Sequence, residues 1–350
     1  MTEREIGRRD FLGASLAAGA AGALDEYHPG NLKLAHRTPW NAGDDELLFL
    51  KQIGLRWVRL EYGVEDPRGE ALGRVQQRFA GFGIGIYSAV QESYRSLKIQ
   101  LGQPGRDADI ETYRTFLASC GKLGIRVASY DFHPGNTYTT SMVDRRGYRA
   151  RRFDLQDFRT RVEKQRFDRK YPAAEIWSNY TYFMKAVLPA AEEAGVKMAL
   201  HPDDPPLEEM NGVAKVFINY EGYRRAEQIA AGSPAWGIRL CVGTWAEGGG
   251  RMGKDVFGMI RDFGGRGKLL DVDFRNVAGT LPRFEETFPD DGDLDMYAVM
   301  KALREARFSG SVVPDHVPEL AGDKGIRKAG TAYCIAGMRA MLRRANQEVG

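Results

Sequence analysis

The sequence predicts a (β/α)8 TIM barrel, a single α/β domain with long βα loops over its C-terminal face. Three observations carry that expectation. From residue 30 onward, eight short apolar runs alternate with longer amphipathic ones. Several amphipathic runs end on a glycine just before the next short run, as a compact αβ loop requires. After the first run stands Arg37-Thr38-Pro39-Trp40-Asn41, with no G-x-G-x-x-G turn, which argues against a doubly wound dinucleotide-binding sheet.

Taken in order, strands are expected at 32–36, 56–61, 84–90, 126–132, 196–201, 237–241, 268–274 and 311–315. Helices are expected at 44–53, 110–123, 178–194, 220–231, 255–263 and 294–306, with left-handed caps at Gly54, Gly124, Gly195, Gly267 and Gly310. Two connections exceed the usual barrel loop, 134–177 and 275–293. Long βα loops lie over the active face of a barrel, so the first is expected to cover the pocket.

Residues 1–26 form a separate unit. Arg8-Arg9-Asp10-Phe11-Leu12 leads into an Ala/Gly-rich run, and Ala21-Gly22-Ala23 offers a cleavage site. These are the parts of a twin-arginine export signal in order, which predicts a periplasmic protein whose barrel spans 27–350.

Composition narrows the function. Of 350 residues, 43% are hydrophobic and 28% charged, ordinary globular usage. A net charge of +3 gives no ground for a nucleic-acid partner. No stretch approaches the ~20 apolar residues of a membrane span. Eleven Lys or Arg lie between Arg145 and Lys170, mixed with Asp154, Asp157, Glu163 and Asp168. That pattern reads as a solvated face; the sharper alternative is a flap that attracts an anionic substrate. Three cysteines are too few for a disulfide framework, and Cys120 and Cys334 fall in helical patterns as small core residues.

Chemistry is expected at the C-terminal strand ends. Those ends carry His201, Cys241, Asp273 and Asp315, spaced 40, 32 and 42 positions apart, each about one βα unit. Singly, a strand-end aspartate often caps a helix and a buried cysteine often only packs. Four in register can converge on one metal ion.

The blocks His201-Pro202-Asp203-Asp204-Pro205-Pro206, Leu240-Cys241-Val242-Gly243-Thr244, Phe274-Arg275-Asn276-Val277, Gly292-Asp293-Leu294-Asp295-Met296 and Asp315-His316 together resemble the mannonate dehydratases, within the xylose-isomerase-like barrels. Tyr130-Asp131-Phe132-His133-Pro134 and Gln91-Glu92-Ser93 extend the resemblance over roughly 30–345. It implies a lyase that dehydrates a sugar acid, D-mannonate, to a 2-keto-3-deoxy acid through an enediolate. It implies a divalent ion, Mn²⁺ first, with Fe²⁺ or Mg²⁺ as alternatives, held by His201, Cys241 and Asp315. The family's second histidine ligand falls at Asp273, a harder donor that suits Mn²⁺ or Mg²⁺ and adds negative charge beside the ion. His316 becomes the acid/base candidate, since an imidazole ordinarily titrates near neutrality. Arg275, Asn276 and His133 become substrate-binding candidates, Arg275 because a guanidinium grips a carboxylate with two parallel bonds.

A further departure concerns a family tyrosine, absent from Leu320-Ala321-Gly322-Asp323-Lys324-Gly325. Tyr138, His133, Lys324 and Asp323 stand as substitutes, while Tyr333 reads as packing. The alternative activity is a sugar isomerase or epimerase using the same ion; a non-catalytic sugar-acid binder is a third reading. The expected partner is a small sugar acid, with self-association into a homo-oligomer left open. The resemblance taken alone would place the protein in the cytoplasm.

Overall fold

The computed structural model describes residues 24–63, 68–134 and 138–350. The paired arginines and apolar run of the expected export signal lie outside the described residues. Leu24 and Glu26 are already docked on the last helix, through Asn346 Nδ2 donating to the Leu24 carbonyl (3.0 Å) and Arg339 Nε to Glu26 (2.8 Å).

The eight expected strands all form. They are β1 (Lys33–Pro39), β2 (Trp57–Tyr62), β3 (Gly85–Gln91), β4 (Val127–Tyr130), β5 (Lys197–Leu200), β6 (Trp236–Cys241), β7 (Leu269–Phe274) and β8 (Ser311–Pro314). Each pairs in parallel with its neighbours in sequence, and β8 pairs with β1 to close the barrel. Helices Asp44–Gln52, Arg106–Lys122, Ala173–Ala194, Tyr220–Ile229 and Met296–Glu305 lie where the periodicity put them, and Lys328–Val349 ends the chain. The segment expected as one helix at 255–263 is a short α-turn, Val256–Met259, running into a π-turn, Ile260–Gly264.

Helix Gly69–Gly81 was not expected. Its glycines dilute the helical signal, and only the packing of buried Leu72 and Phe79 reveals it. Of the five expected caps, Gly54, Gly124, Gly195 and Gly267 do take positive φ. Gly310 does not. Arg307 (φ 54°) turns that corner instead, and Gly310 is required because a Cβ there would lie 2.4 Å from the Leu270 carbonyl.

Each strand alternates between the helical layer and the barrel interior. The helix side is aromatic and aliphatic: Phe132, Tyr180 and Phe183 interlock with ring centroids 5.3–5.6 Å apart. Burying each such ring contributes roughly 1.5–3 kcal/mol. The interior is polar, where barrels usually hold branched apolar side chains. Arg59, Ser88, Ser129, Arg239, Asp271, Asp273 and Ser311 are all buried. Arg59 of β2 reaches across to Asp273 of β7, strands that are not neighbours, at 2.6 Å.

The two long connections meet to form one structure. Ser141–Arg145 and Tyr148–Asp154 from the first pair with Arg283–Thr287 and Asn276–Thr280 from the second in a four-stranded antiparallel sheet. This flap lies over the strand ends. Most of its basic residues are neutralised locally: Arg145 by Glu285 and Asp291, Arg146 by Asp290, Arg152 by Glu285. For these the solvated-face reading holds.

His36 on β1 supplies a pH test of the fold. Burial pushes its imidazole down to about 4 from the ordinary 6.5, with Nδ1 2.9 Å from Thr38 Oγ1. The folded protein therefore keeps a neutral ring where the unfolded chain binds a proton. Stability should fall by about 1.4 kcal/mol per pH unit from this group as pH drops from about 6.5 towards 4. Urea melts of His36→Asn should show a flatter pH dependence over that window, and an unchanged slope would clear His36 of the effect.

Candidate active site

Strand register builds the site. Cys241, last in β6, stands beside Asp273 of β7, and His201 follows β5, its N–H donating to the Tyr130 carbonyl at 2.8 Å. Ligating atoms of His201, Cys241 and Asp273 all lie within 4.8 Å of one another. His201 Nε2 is 3.3 Å from Asp273 Oδ2, a separation that two donors about 2.1 Å from one ion can adopt.

Asp273 is held from two sides. Arg59 Nη1 donates to Oδ1 and Arg239 Nε to Oδ2, each at 2.6 Å, with the Asp273 and Arg59 side chains fully buried. Burial alone would raise its carboxyl; Arg239 and Arg59 overrule that and hold it well below the usual carboxylate range.

A second arginine forms another hub. Arg275 pairs with Asp204 (2.7 Å), Glu247 (2.7 Å), Glu286 (2.9 Å) and Asp315 (3.3 Å). It also donates to Cys241 Sγ at 3.4 Å. A Cβ at Gly243 would come within 2.4 Å of Arg275 Nε, so the glycine makes room for the guanidinium. Burial pushes the Cys241 thiol up to about 12, and Arg275 pulls against it.

These donors suit a divalent cation. Asp204, Glu247, Asp273, Glu286 and Asp315 are five buried carboxylates facing three buried arginines, Arg59, Arg239 and Arg275. Burial and the neighbouring Asp204 raise Glu247 well above the usual carboxylate range, against the pull of Arg275. Asp204 Oδ1 and Glu286 Oε2 are buried without a hydrogen-bond partner. A thiolate, an imidazole and a carboxylate form a competent transition-metal set.

Beside this set opens a cavity of about 350 Å³, and every lining residue is ionisable. Arg37, Arg95, Arg151 and Arg239 line it with His133, His201 and His316 and with Asp131, Asp204 and Asp315. His316 has φ 45°, with Nδ1 3.0 Å from Glu286 Oε1 and Nε2 3.8 Å from Asp315 Oδ2. His133 is buried, its Nε2 3.9 Å from Asp203 Oδ1, and burial pushes its imidazole below the ordinary value.

The expected residues thus separate into groups. His201, Cys241 and Asp273 come together as a donor set, and His316 and His133 line the cavity. Asp315 lines it too, but stands outside the three-donor group and beside Arg275. Arg275 and Asn276 do not line the cavity. Arg275 is fully enclosed by carboxylates, while Asn276 Nδ2 donates to the Pro289 and Leu294 carbonyls and its Oδ1 accepts from Val277 and Leu294 N–H. Of the substitutes for the missing tyrosine, only His133 lines the cavity. Tyr138 meets Asn211, Asp323 caps the last helix, and Tyr333 bonds Asp290 against Phe288. Sequence reasoning passed over Arg37, Arg95 and Arg239, and met Arg151 only as part of the basic stretch from Arg145 to Lys170. Arg239 was findable, being two residues before Cys241 and so on the same strand face.

A closed parallel barrel with an ionisable pocket at its C-terminal mouth defines an enzyme of the (β/α)8 class. Residues 149–344 match the family model described as D-mannonate dehydratase (UxuA). Mannonate dehydratase 2 of Halalkalibacterium halodurans is 31% identical over 254 residues, covering 65% of this chain and 72% of that protein. The Streptococcus suis mannonate dehydratase is 33% identical over 255 residues, 65% and 68% of the two chains. The crystal structure of mannonate dehydratase from Streptococcus suis serotype 2 superposes with a TM-score of 0.77 at 27% identity, covering 90% of this chain and 96% of that one. The chain belongs to the D-mannonate dehydratase family, a family of carbon–oxygen lyases. An L-ribulose 3-epimerase structure (TM-score 0.59, 14% identity, 91% and 96% coverage) shares the fold alone.

Removing the anion between Arg59 and Arg239 should be costly. Asp273→Asn leaves two buried guanidinium groups facing a neutral amide, with an expected loss of about 3–5 kcal/mol in denaturant unfolding. A loss below about 1 kcal/mol would mean that the pairs do not hold the barrel interior together.

Proposed function

We propose that this protein is a metal-dependent hydro-lyase that converts a sugar acid such as D-mannonate to the 2-keto-3-deoxy acid. The observation that carries this reading is the His201–Cys241–Asp273 donor set opening directly onto the ionisable cavity that His316 and His133 line. Mn²⁺ is the ion proposed, because a carboxylate in the set favours a hard cation, with Fe²⁺ or Mg²⁺ next. When bound, the ion would supply positive charge for the enolate-like charge that develops beside the substrate carboxylate.

The chain's own groups divide the proton work. One imidazole takes the proton from the carbon next to the carboxylate, and another group donates a proton to the neighbouring hydroxyl, which leaves as water. His316 and His133 are the two proposed partners. Glu286 Oε1 lies 3.0 Å from His316 Nδ1 as a charge neighbour, and Nε2 is the nitrogen assigned to transfer. His133 is kept neutral by burial, which suits a base. The resulting enol becomes the 2-keto-3-deoxy acid. Export through the twin-arginine route belongs to the same reading and rests on Arg8-Arg9 and the run that follows.

Incubation with D-mannonate and Mn²⁺ should yield a 2-keto-3-deoxy acid by colour assay. Proton exchange at the carbon beside the carboxylate, with no such product, would instead favour an epimerase. Cys241→Ser should weaken Mn²⁺ binding in equilibrium dialysis by about tenfold or more. Unchanged affinity would return Cys241 to a packing role.

A further inference from the structure

Four arginines line the cavity, and three of them have carboxylate partners. Arg37 pairs with Glu61, Arg95 with Asp131 and Arg239 with Asp273. Asp204 and Asp315, which also line it, both pair with Arg275 behind the wall. Among the described residues, Arg151 makes no hydrogen bond or ion pair, although it lines the cavity and is only partly exposed.

Arg151 is not a loosely held surface arginine. Its strand, Tyr148–Asp154, is paired on one edge with Ser141–Arg145, Arg151 standing opposite Met142. The other edge carries the Arg283–Thr287 strand, paired at Asp154, Phe153 and Arg152. Two residues before it, Arg149 and Glu319 exchange backbone hydrogen bonds of 3.0 and 3.1 Å, tying the flap to the loop after His316. Two residues after it, Phe153 packs on Phe158 and Phe284 at 5.7 and 5.5 Å. The backbone that delivers the guanidinium is therefore fixed before any ligand arrives, which lowers the entropy lost on binding. Neighbouring Arg145, Arg146 and Arg152 all have carboxylate partners. Arg151 stands apart by position, not by a general basic bias.

We infer that the substrate is a sugar acid carrying a second anionic group besides its reacting carboxylate, and that Arg151 binds that group. This rests on the lyase reading, in which the reacting carboxylate lies at the metal donors. A hydroxymethyl end would leave an unpaired guanidinium facing a neutral group, whereas a terminal carboxylate or phosphate accepts two parallel N–H bonds from it. The cavity of about 350 Å³ admits a six-carbon acid, and its wholly ionisable wall offers no apolar patch for an uncharged end.

Calorimetric titration of the Mn²⁺-loaded protein tests this with D-mannonate, D-mannarate and 6-phospho-D-mannonate. At least one dianion should bind about tenfold more tightly than D-mannonate, and which one identifies the terminal group as carboxylate or phosphate. Arg151→Gln should reduce that preference to within about twofold, Arg151→Lys should retain part of it, and the melting temperature should not change because Arg151 has no partner in the protein. Equal affinity for all three acids, no binding by any, or a preference that survives Arg151→Gln would overturn the assignment. Product analysis separates the two readings. Arg151-dependent dianion binding without a keto acid would keep the substrate class and reject the lyase, whereas turnover of D-mannonate without dianion preference would do the reverse.

Discussion

The rest of the site depends on one buried arrangement, a carboxylate held between two arginines inside the barrel. Asp273 accepts from Arg59 and Arg239 at 2.6 Å on separate oxygens. Moving three charges out of water carries a desolvation cost of several kcal/mol per ion, and only close, well-aligned pairs offset it. That requirement fixes geometry. β2, β6 and β7 must keep their register for the three side chains to meet, and Asp273 cannot rotate without losing a partner. His201, 3.3 Å from one of its oxygens, and Cys241, its register partner, inherit a fixed neighbour.

Arg275 extends the same logic from the barrel to its cover. Its four carboxylates come from the turn after β5 (Asp204), the turn of helix after β6 (Glu247), the flap sheet (Glu286) and the end of β8 (Asp315). Each is on a different segment, so one guanidinium joins the mouth of the barrel to the flap above it. Glu286 also lies 3.0 Å from His316 Nδ1, so the same hub places a negative charge beside the acid/base candidate. Strand-end position predicted that Arg275 would serve the site. It does so by organising protein carboxylates and the Cys241 sulfur, with no face turned to the cavity.

How much of this was legible follows from what is local. The eight strands were readable because apolar runs alternate with amphipathic ones, several of which end at a capping glycine, a signal contained within about a dozen residues. The convergence of His201, Cys241 and Asp273 was readable because one βα unit separates successive strand ends. The flap sheet was not. Tyr148–Asp154 reads as a basic run, and its partner strand lies some 130 residues away, where Glu285 neutralises Arg152. The interior arginines escaped for a related reason: a charge within an apolar strand is explained only by its partner, and Arg59 and Asp273 are 214 residues apart. The cavity residues Arg37, Arg95 and Arg151 likewise acquire meaning only once the strands bring them to one wall.

The structure also reverses an expectation about charge. An aspartate in place of a neutral imidazole should make the donor set more negative and any bound ion a weaker electrophile. That holds for Asp273 alone. Arg59 and Arg239 both contact Asp273, so its charge is countered inside the barrel. The excess negative charge resides instead around Arg275, on carboxylates that reach the site through Cys241 and Asp315. The carboxylate that stands in place of an imidazole is thus accompanied by two arginine partners. The positive side faces the cavity through Arg239, and Arg151 looks into the same space from the flap.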